Sequence, residues 1–333
     1  MWKKVLFLLL AGIVVVIGGG LAFLCLVKPA HAPASQVKVA LTPERIARGQ
    51  YLFERVCDCA GCHSQRDFTR VGGPEVAGRR GAGTVMSDFL IGLPGVVVAP
   101  NITPDVETGI GSWSDGEKIR AIREGVDKDG RPLFPLMPYT GYRAMSDQDA
   151  EALVAYMDTL PPIHNPLSKT SLAFPVNLMI RLAPQPAGTV PPPETGDRFK
   201  YGRYLVTIAG CSECHTPAEK GQPVPGMEYA GGQVFATKAG TVLTANITPD
   251  LDTGIGKWSE EFFLKKIYDY KEYAEHGAPP LAGPQAFTLM PWLAYSGLRP
   301  EDLSAIYTYL HSLKPIRHSV ETHPGSSKTA EAL

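Results

Sequence analysis

Two pentapeptides, Cys59-Ala60-Gly61-Cys62-His63 and Cys211-Ser212-Glu213-Cys214-His215, share the pattern Cys-x-x-Cys-His. This pattern is typical of a c-type haem attachment site. Two cysteines at this spacing can bond to the two vinyl groups of one porphyrin, and the adjacent histidine then lies beneath the iron. A structural zinc site draws on four ligands and does not need His beside Cys at both places. The sequence therefore predicts two covalent haem c groups, held by Cys59, Cys62, Cys211 and Cys214, with His63 and His215 as axial iron ligands.

The similarity between the two halves of the chain extends beyond these pentapeptides. Asn101-Ile102-Thr103-Pro104-Asp105 recurs as Asn246-Ile247-Thr248-Pro249-Asp250, and Leu136-Met137-Pro138 recurs as Leu289-Met290-Pro291. A Thr-Gly-Ile-Gly-x-Trp segment follows the first of these stretches in each half, beginning at Thr108 and at Thr253. Repetition of this kind indicates two copies of one structural unit.

Helix signals frame both copies. Thr42 followed by Pro43 predicts a helix start in the first copy, and Asp197 predicts one in the second. Amphipathic helices close the copies, over residues 147–160 and 301–313, and each ends before a proline. The chain is therefore predicted to be mostly α, with two tandem helical domains.

The repeat also selects candidates for the second axial ligand of each iron. Of the eight methionines, only Met137 and Met290 recur in register, 74 and 75 residues after His63 and His215. The proline that follows each methionine restricts its backbone to an extended form, which helps to aim the thioether. Methionine commonly fills gaps in apolar cores. Its recurrence in two diverged copies nevertheless favours axial ligation by Met137 and Met290.

Other repeated residues leave two interpretations open. The turn-forming segments either shape the loop around the haem edge or provide contacts to the haem propionates. The residues concerned are Asn101, Trp113, Asn246 and Trp258.

Cys57 interrupts the match between the copies. Gly49 and Cys59 are ten residues apart, whereas Gly202 and Cys211 are nine apart. Haem attachment through Cys57 and Cys62 is conceivable, but the normal spacing uses Cys59. We therefore interpret Cys57 as an unpaired thiol.

An apolar run of 23 residues, 5–27, follows Lys3 and Lys4 at the N-terminus. About 20 apolar residues suffice for a helix to span a bilayer. The preceding positive charges place the N-terminus in the cytoplasm and the rest of the chain outside. Ala30-His31-Ala32 resembles a signal-peptide cleavage site, but a signal core is usually about 7–15 residues long. The sequence favours an uncleaved anchor in the bacterial inner membrane, with the domains facing the periplasm.

The chain divides into six predicted segments. They are an anchor or signal peptide (1–28), a tether (29–41), a first domain (42–165), a proline-rich linker (166–196), a second domain (197–318) and a tail (319–333). Nine prolines between residues 161 and 193 exclude a long helix there. Apolar residues in the linker predict that it packs on something, and the polar tail is predicted to be disordered.

With these motifs in view, residues 43–318 resemble the multihaem cytochrome c subunit of membrane-bound alcohol, gluconate and aldehyde dehydrogenases. The resemblance rests on both Cys-x-x-Cys-His motifs, the other repeated segments, the closing helices and the linker stretch Phe174-Pro175-Val176-Asn177. It implies a cytochrome c-type helical fold in each half. It also implies that the first and last helices cross near the haem, with Gly49 facing Tyr156 and Gly202 facing Tyr309.

The resemblance further implies electron relay from a periplasmic dehydrogenase to quinone or a terminal oxidase. No catalytic acid–base constellation stands out, so the chain is predicted to be an electron-transfer protein and not an enzyme. The net charge of −1 gives no indication of a nucleic-acid partner. Two alternatives stay open. One is an assembly or anchoring subunit whose haems are mainly structural; the other is a dihaem peroxidase, which needs one haem with an open or displaceable distal position. A methionine candidate at each iron argues against it.

Overall fold

The computed structural model describes residues 2–324, which form two helical halves behind one long N-terminal helix. From residue 325 onward, the predicted tail lies outside the described part of the chain. The long helix, α1, spans Trp2–Leu26. It is the one helix within residues 2–324 that length and composition would allow to cross a bilayer. A signal sequence near an N-terminus would have the same two properties.

The two halves have the same order of helices on either side of the linker, except that the second half has one additional helix, α11 (Lys271–His276). The first half contains α2 (Pro43–Tyr51) with a π-helical continuation (Leu52–Val56), α3 (Cys59–His63), α4 (Asp115–Glu124), α5 (Tyr139–Tyr142) and α6 (Asp147–Met157). The linker holds α7 (Val176–Met179) and a 3₁₀ turn (Ile180–Leu182). The second half contains α8 (Arg198–Ile208), α9 (Cys211–His215), α10 (Glu260–Tyr268), α11 (Lys271–His276), α12 (Trp292–Tyr295) and α13 (Pro300–His311).

Short strands lie in the segments between these helices. They are β1 (Thr84–Val85), β2 (Gly95–Val96), β3 (Val98–Ala99), β4 (Ser171–Leu172), β5 (Ala218–Glu219), β6 (Gln222–Pro223), β7 (Val234–Thr237) and β8 (Gly240–Leu243). They form four antiparallel pairs, β1–β3, β2–β4, β5–β6 and β7–β8. The prediction of a mostly α fold is confirmed.

The predicted helix starts are confirmed by their caps. The Thr42 side chain accepts a hydrogen bond from the backbone N–H of Arg45, and Pro43 occupies the first helical position. The Asp197 side chain accepts one from the N–H of Lys200. These bonds satisfy backbone donors that have no partner inside the helix.

The first and last helices of each half cross at a glycine. A Cβ atom added at Gly49 would overlap the carbonyl oxygen of Ala152 and lie 2.8 Å from Cβ of Tyr156. A Cβ atom added at Gly202 would overlap the carbonyl oxygen of Ala305 and lie 3.0 Å from Cβ of Tyr309. The expected glycine–tyrosine pairings are therefore confirmed in both halves.

A reciprocal pair of hydrogen-bonded tyrosines joins the halves. The hydroxyl of Tyr204 on α8 donates to Asp149 on α6 at 2.6 Å and accepts from the N–H of Ser146, the residue before α6. The hydroxyl of Tyr51 on α2 donates to Asp302 on α13 and accepts from the N–H of Arg299, the residue before α13. Each tyrosine therefore caps the closing helix of the other half.

Apolar packing continues across the same boundary. Buried residues of both halves form one hydrophobic cluster, which includes Leu52 and Leu153 from the first and Leu205 and Leu303 from the second. Helix α5 packs on α8, and α12 packs on the π-helical turn. The two halves therefore share one core.

The predicted tether lies along the first half. The N–H of Ala32 donates to Glu124 at 2.8 Å, and the N–H of Val39 donates to Asp115 at 2.9 Å, so both contacts are made to α4. The extended segment therefore follows α4 on its way from α1 to α2.

The glycine crossing yields a direct test of stability. We expect Gly202→Ala to lower the free energy of unfolding by about 3 kcal/mol, because the new methyl group meets a backbone carbonyl that cannot rotate away. Thermal unfolding followed by circular dichroism measures the change. Gly188→Ala is the control, since a Cβ atom there meets nothing within 4 Å. Equal stability of the two variants would contradict the close crossing.

Candidate haem-binding sites

Both Cys-x-x-Cys-His motifs fold into the same short helix. Helices α3 and α9 each contain the five motif residues, and each follows a left-handed residue, Asp58 with φ 42° or Gly210 with φ 66°. The carbonyl of that residue accepts a hydrogen bond from the N–H three positions on, at 2.9 Å in the first copy and 3.2 Å in the second. Aspartate is one of the few residues besides glycine that adopt this conformation readily.

A π-helical turn accommodates the extra residue of the first copy. The N–H of Cys57 donates to the carbonyl of Leu52, five residues earlier, at 2.8 Å. Such a turn inserts one residue into a helix and leaves the flanking segments in register. Cys57 is therefore the structural counterpart of Ala209, and Cys59 is the counterpart of Cys211.

The surroundings of Cys57 support its interpretation as an unpaired thiol. Its side chain packs against the shared core, and the structure shows no disulfide within residues 2–324. Burial raises the pKa of the Cys57 thiol, which favours the neutral form. Its carbonyl accepts a hydrogen bond from Tyr142, as that of Ala209 does from Tyr295.

The two motif histidines have matching hydrogen bonds and burial. Nδ1 of His63 lies 2.8 Å from the carbonyl oxygen of Pro100, and Nδ1 of His215 lies 2.7 Å from that of Ala245. A carbonyl oxygen accepts a hydrogen bond only from a protonated nitrogen, so Nδ1 carries the proton. Nε2 of each ring therefore has a free lone pair. Each residue is 8 % exposed, and burial lowers the pKa of both imidazoles. The neutral ring is the form that binds iron.

The repeated methionines lie in loops of the same shape. Met137 and Met290 are partly buried and pack against the core. The prolines that follow have similar dihedral angles, φ −80° and ψ 43° at Pro138 against φ −76° and ψ 55° at Pro291. The carbonyl of each methionine accepts from the N–H two residues on, at 2.8 Å and 2.7 Å. Axial ligation by these methionines stays a prediction.

The repeated asparagines are used inside their loops. Nδ2 of Asn101 donates to Thr108 and to the carbonyl of Ile163, and its Oδ1 accepts from the backbone and hydroxyl of Thr103. Asn246 makes the corresponding four bonds in the second half. Both Nδ2 hydrogens are therefore taken, which favours the loop-shaping interpretation of the asparagines. For Trp113 and Trp258, contact with a propionate stays a prediction.

The two candidate sites lie close to each other across the shared core. A Cβ atom added at Gly141 on α5 would be 2.9 Å from the carbonyl oxygen of Thr207 and 3.1 Å from Oε1 of Glu213. Burial raises the pKa of Tyr295 well above its ordinary value, and the Asp58 carboxyl group of the first half adds to the effect. The short helix after Met137 therefore packs against the second haem motif.

These arrangements fit the chemistry of haem c. Each motif offers two thiols outside any disulfide, and a buried neutral imidazole whose Nε2 is free. Sequence reasoning did not foresee the π-helical turn or the interdomain tyrosine bonds. The signal for the tyrosines is that both halves contain the same short pattern, Gly49-x-Tyr51-Leu52 in the first and Gly202-x-Tyr204-Leu205 in the second.

Comparison with known proteins supports the same family in both halves. The cytochrome c family profile matches residues 46–161 and 199–314. A diheme cytochrome c-type protein of Cereibacter sphaeroides is 32 % identical over 323 residues, which cover 92 % of this chain and 98 % of that protein.

Two longer relatives are subunits of dehydrogenases. The fructose dehydrogenase cytochrome subunit of Gluconobacter japonicus is 33 % identical over 83 % of this chain. The cytochrome c subunit of a quinone-linked alcohol dehydrogenase from Gluconacetobacter polyoxogenes is 29 % identical over 89 % of it. The matches span only 54 % and 62 % of those proteins. The family profile in both halves and the full-length diheme relative lead to one conclusion: this chain is a member of the cytochrome c family with two covalently bound haem c groups.

Proposed function

We propose that the chain transfers electrons from a periplasmic dehydrogenase to quinone or a terminal oxidase. The duplication of one haem-binding frame on a shared core is the observation that carries this proposal. The dehydrogenase subunits among its relatives support the choice of electron donor. A bound haem c supplies one-electron exchange at its iron, so two of them close together form a relay.

In this proposal each half holds one haem through the same set of residues. Cys59 and Cys62 attach the first, and Cys211 and Cys214 attach the second. His63 with Met137, and His215 with Met290, are the axial ligand pairs.

The protein residues keep the two ligand pairs fixed. The carbonyls of Pro100 and Ala245 hold the imidazole rings in one orientation and one tautomer. The Met-Pro loops present a neutral thioether, which raises the potential relative to anionic ligands. Because two strong neutral ligands at each iron leave no open position, they suit electron transfer better than peroxide chemistry.

We also propose that α1 anchors the chain in the inner membrane and that both domains face the periplasm. Lys3 and Lys4 precede the apolar run, and positive charges of this kind stay in the cytoplasm. The domain limits that we propose are 42–165 and 197–318, joined by the linker 166–196.

The electron source can be tested by stopped-flow absorbance. A membrane-bound sugar or alcohol dehydrogenase from the same cell, supplied with its substrate, should reduce both haems of the purified chain. Free substrate without the dehydrogenase is the control and should reduce neither. Rapid peroxide turnover, combined with no reduction by any such dehydrogenase, would support the peroxidase alternative instead.

The axial methionines can be tested one at a time. Met137→Ala and Met290→Ala should each remove about half of the near-infrared band that reports thioether-to-iron charge transfer, and the double variant should lose it. The potential of the affected haem should fall, because a neutral soft ligand is lost. Met145→Ala, at a methionine without a counterpart in the other half, is the control. An unchanged band in Met137→Ala would mean that the first haem uses another ligand.

The assignment of Cys59 can be tested against Cys57. We expect Cys57→Ala to keep two haems and four thioether bonds per chain, because the second copy already has alanine at this position. Pyridine haemochrome spectra and mass spectrometry of haem peptides measure both quantities. Cys59→Ala is the matched variant and should lose one thioether bond. The reverse result would assign the bond to Cys57.

A further inference from the structure

Three apolar side chains of the linker are exposed, while Leu172, Val176, Leu178 and Ile180, which were also predicted to pack, are partly buried. Phe174 is 68 % exposed, Met179 is 52 % exposed, and Leu182 is also exposed. Large apolar groups scattered singly are ordinary on protein surfaces, but a contiguous set indicates an interaction site. These three residues lie within nine positions of one another.

A loop of the first domain extends this surface. Strand β2 pairs with β4, so that Val96 lies opposite Ser171, and the N–H of Ala173 donates to the carbonyl of Pro94 at 2.8 Å. Val96 is exposed. We call Val96, Phe174, Met179 and Leu182 together the linker face.

The two stretches of sequence that carry the linker face contain few charged residues. The chain has no charged residue between Asp88 and Asp105, and no acidic residue between Asp158 and Glu194. This second stretch contains one lysine and one arginine, Lys169 and Arg181. Anionic lipid headgroups attract basic residues at the membrane surface and repel acidic ones.

The linker face lies beside the C-terminal end of α1. Nη1 of Arg181 donates to the carbonyl oxygen of Cys25 at 2.8 Å, and α7 contacts α1. A helix of 25 residues is about 37 Å long, against about 30 Å for the hydrocarbon core of a bilayer. Cys25 is therefore at the level where a membrane-spanning α1 would leave the bilayer.

We propose that the linker face is a second membrane contact, which inserts into the headgroup region beside α1. The proposal rests on the membrane anchoring proposed above. Phe174, Met179 and Leu182 enter the boundary between headgroups and acyl chains, while Lys169 and Arg181 meet phosphate groups. Two attached points prevent the domains from swinging freely about the end of α1.

The depth of Phe174 can be measured with a spin label. The full chain with Phe174→Cys, in a Cys25→Ala and Cys57→Ala background that removes both thiols outside the haem motifs, is labelled with a nitroxide and placed in nanodiscs that contain anionic phospholipid. Electron paramagnetic resonance then compares collisions with oxygen, which is enriched in lipid, and with a water-soluble nickel complex. Val106→Cys in the same background is the matched control, because Val106 is 67 % exposed on a loop of the first domain.

We expect the label at residue 174 to collide at least several-fold more with oxygen, relative to nickel, than the label at residue 106. Equal nickel access at both positions in nanodisc-bound protein would overturn the linker face and leave the anchor intact. Protection of residue 174 only after a dehydrogenase is added would assign the surface to that protein and also overturn the proposal. Mass spectrometry of the same sample tests the anchor separately: a chain beginning at Pro33 lacks α1. In that case the label, measured with added vesicles, still decides the linker face.

Discussion

Each half of the molecule has the start of its closing helix held by a tyrosine from the other half. The N–H groups at a helix start have no partner within the helix, and burying them without one is costly. Tyr51 and Tyr204 meet this need across the domain boundary, because a phenolic hydroxyl accepts from the helix and donates to its carboxylate at once. These polar bonds add to the apolar packing of the shared core. In the same arrangement α5 packs on α8 and α12 on the π-helical turn, so the bonds and the packing together set the relative position of the two haem motifs.

Within each half the glycine crossing has the corresponding role. Gly49 and Gly202 allow the first and last helices to approach until a backbone carbonyl occupies the space of a side chain. The haem motif follows directly from the first helix, so its position is set by that approach. In the first copy an extra residue precedes the motif, and the π-helical turn takes it up before it can displace Cys59. Because the π-helical turn accommodates the extra residue, Asp58 and Gly210 lie at corresponding positions, and both have a left-handed backbone conformation.

Much of this organisation could be predicted because the sequence contains two copies of the same structural unit. The repeated motifs predicted the two domains, and the resemblance that they carry predicted the glycine–tyrosine pairings. Contacts between the halves could not be predicted from the repeat, because an internal repeat shows what each copy contains but not how the copies pack against each other. The hydrogen-bond partners of Asn101 could not be predicted from the sequence, since either a loop threonine or a haem propionate could bond to its side-chain amide. The π-helical turn could not be predicted either, because one additional residue is compatible with a loop, a bulge or a shifted motif.

The exchange of tyrosine bonds has the form of an isologous dimer interface, in which the same patch on two subunits meets itself. Here both subunits belong to one polypeptide, and the linker makes their association intramolecular, which raises the effective concentration of each half for the other. An interface under that condition does not need the affinity of a free dimer. Its two sides can therefore diverge, as they have where Arg48 on α2 corresponds to Tyr201 on α8, and Ser146 to Arg299. Divergence of this kind gives a symmetric pair of haem sites two different surroundings.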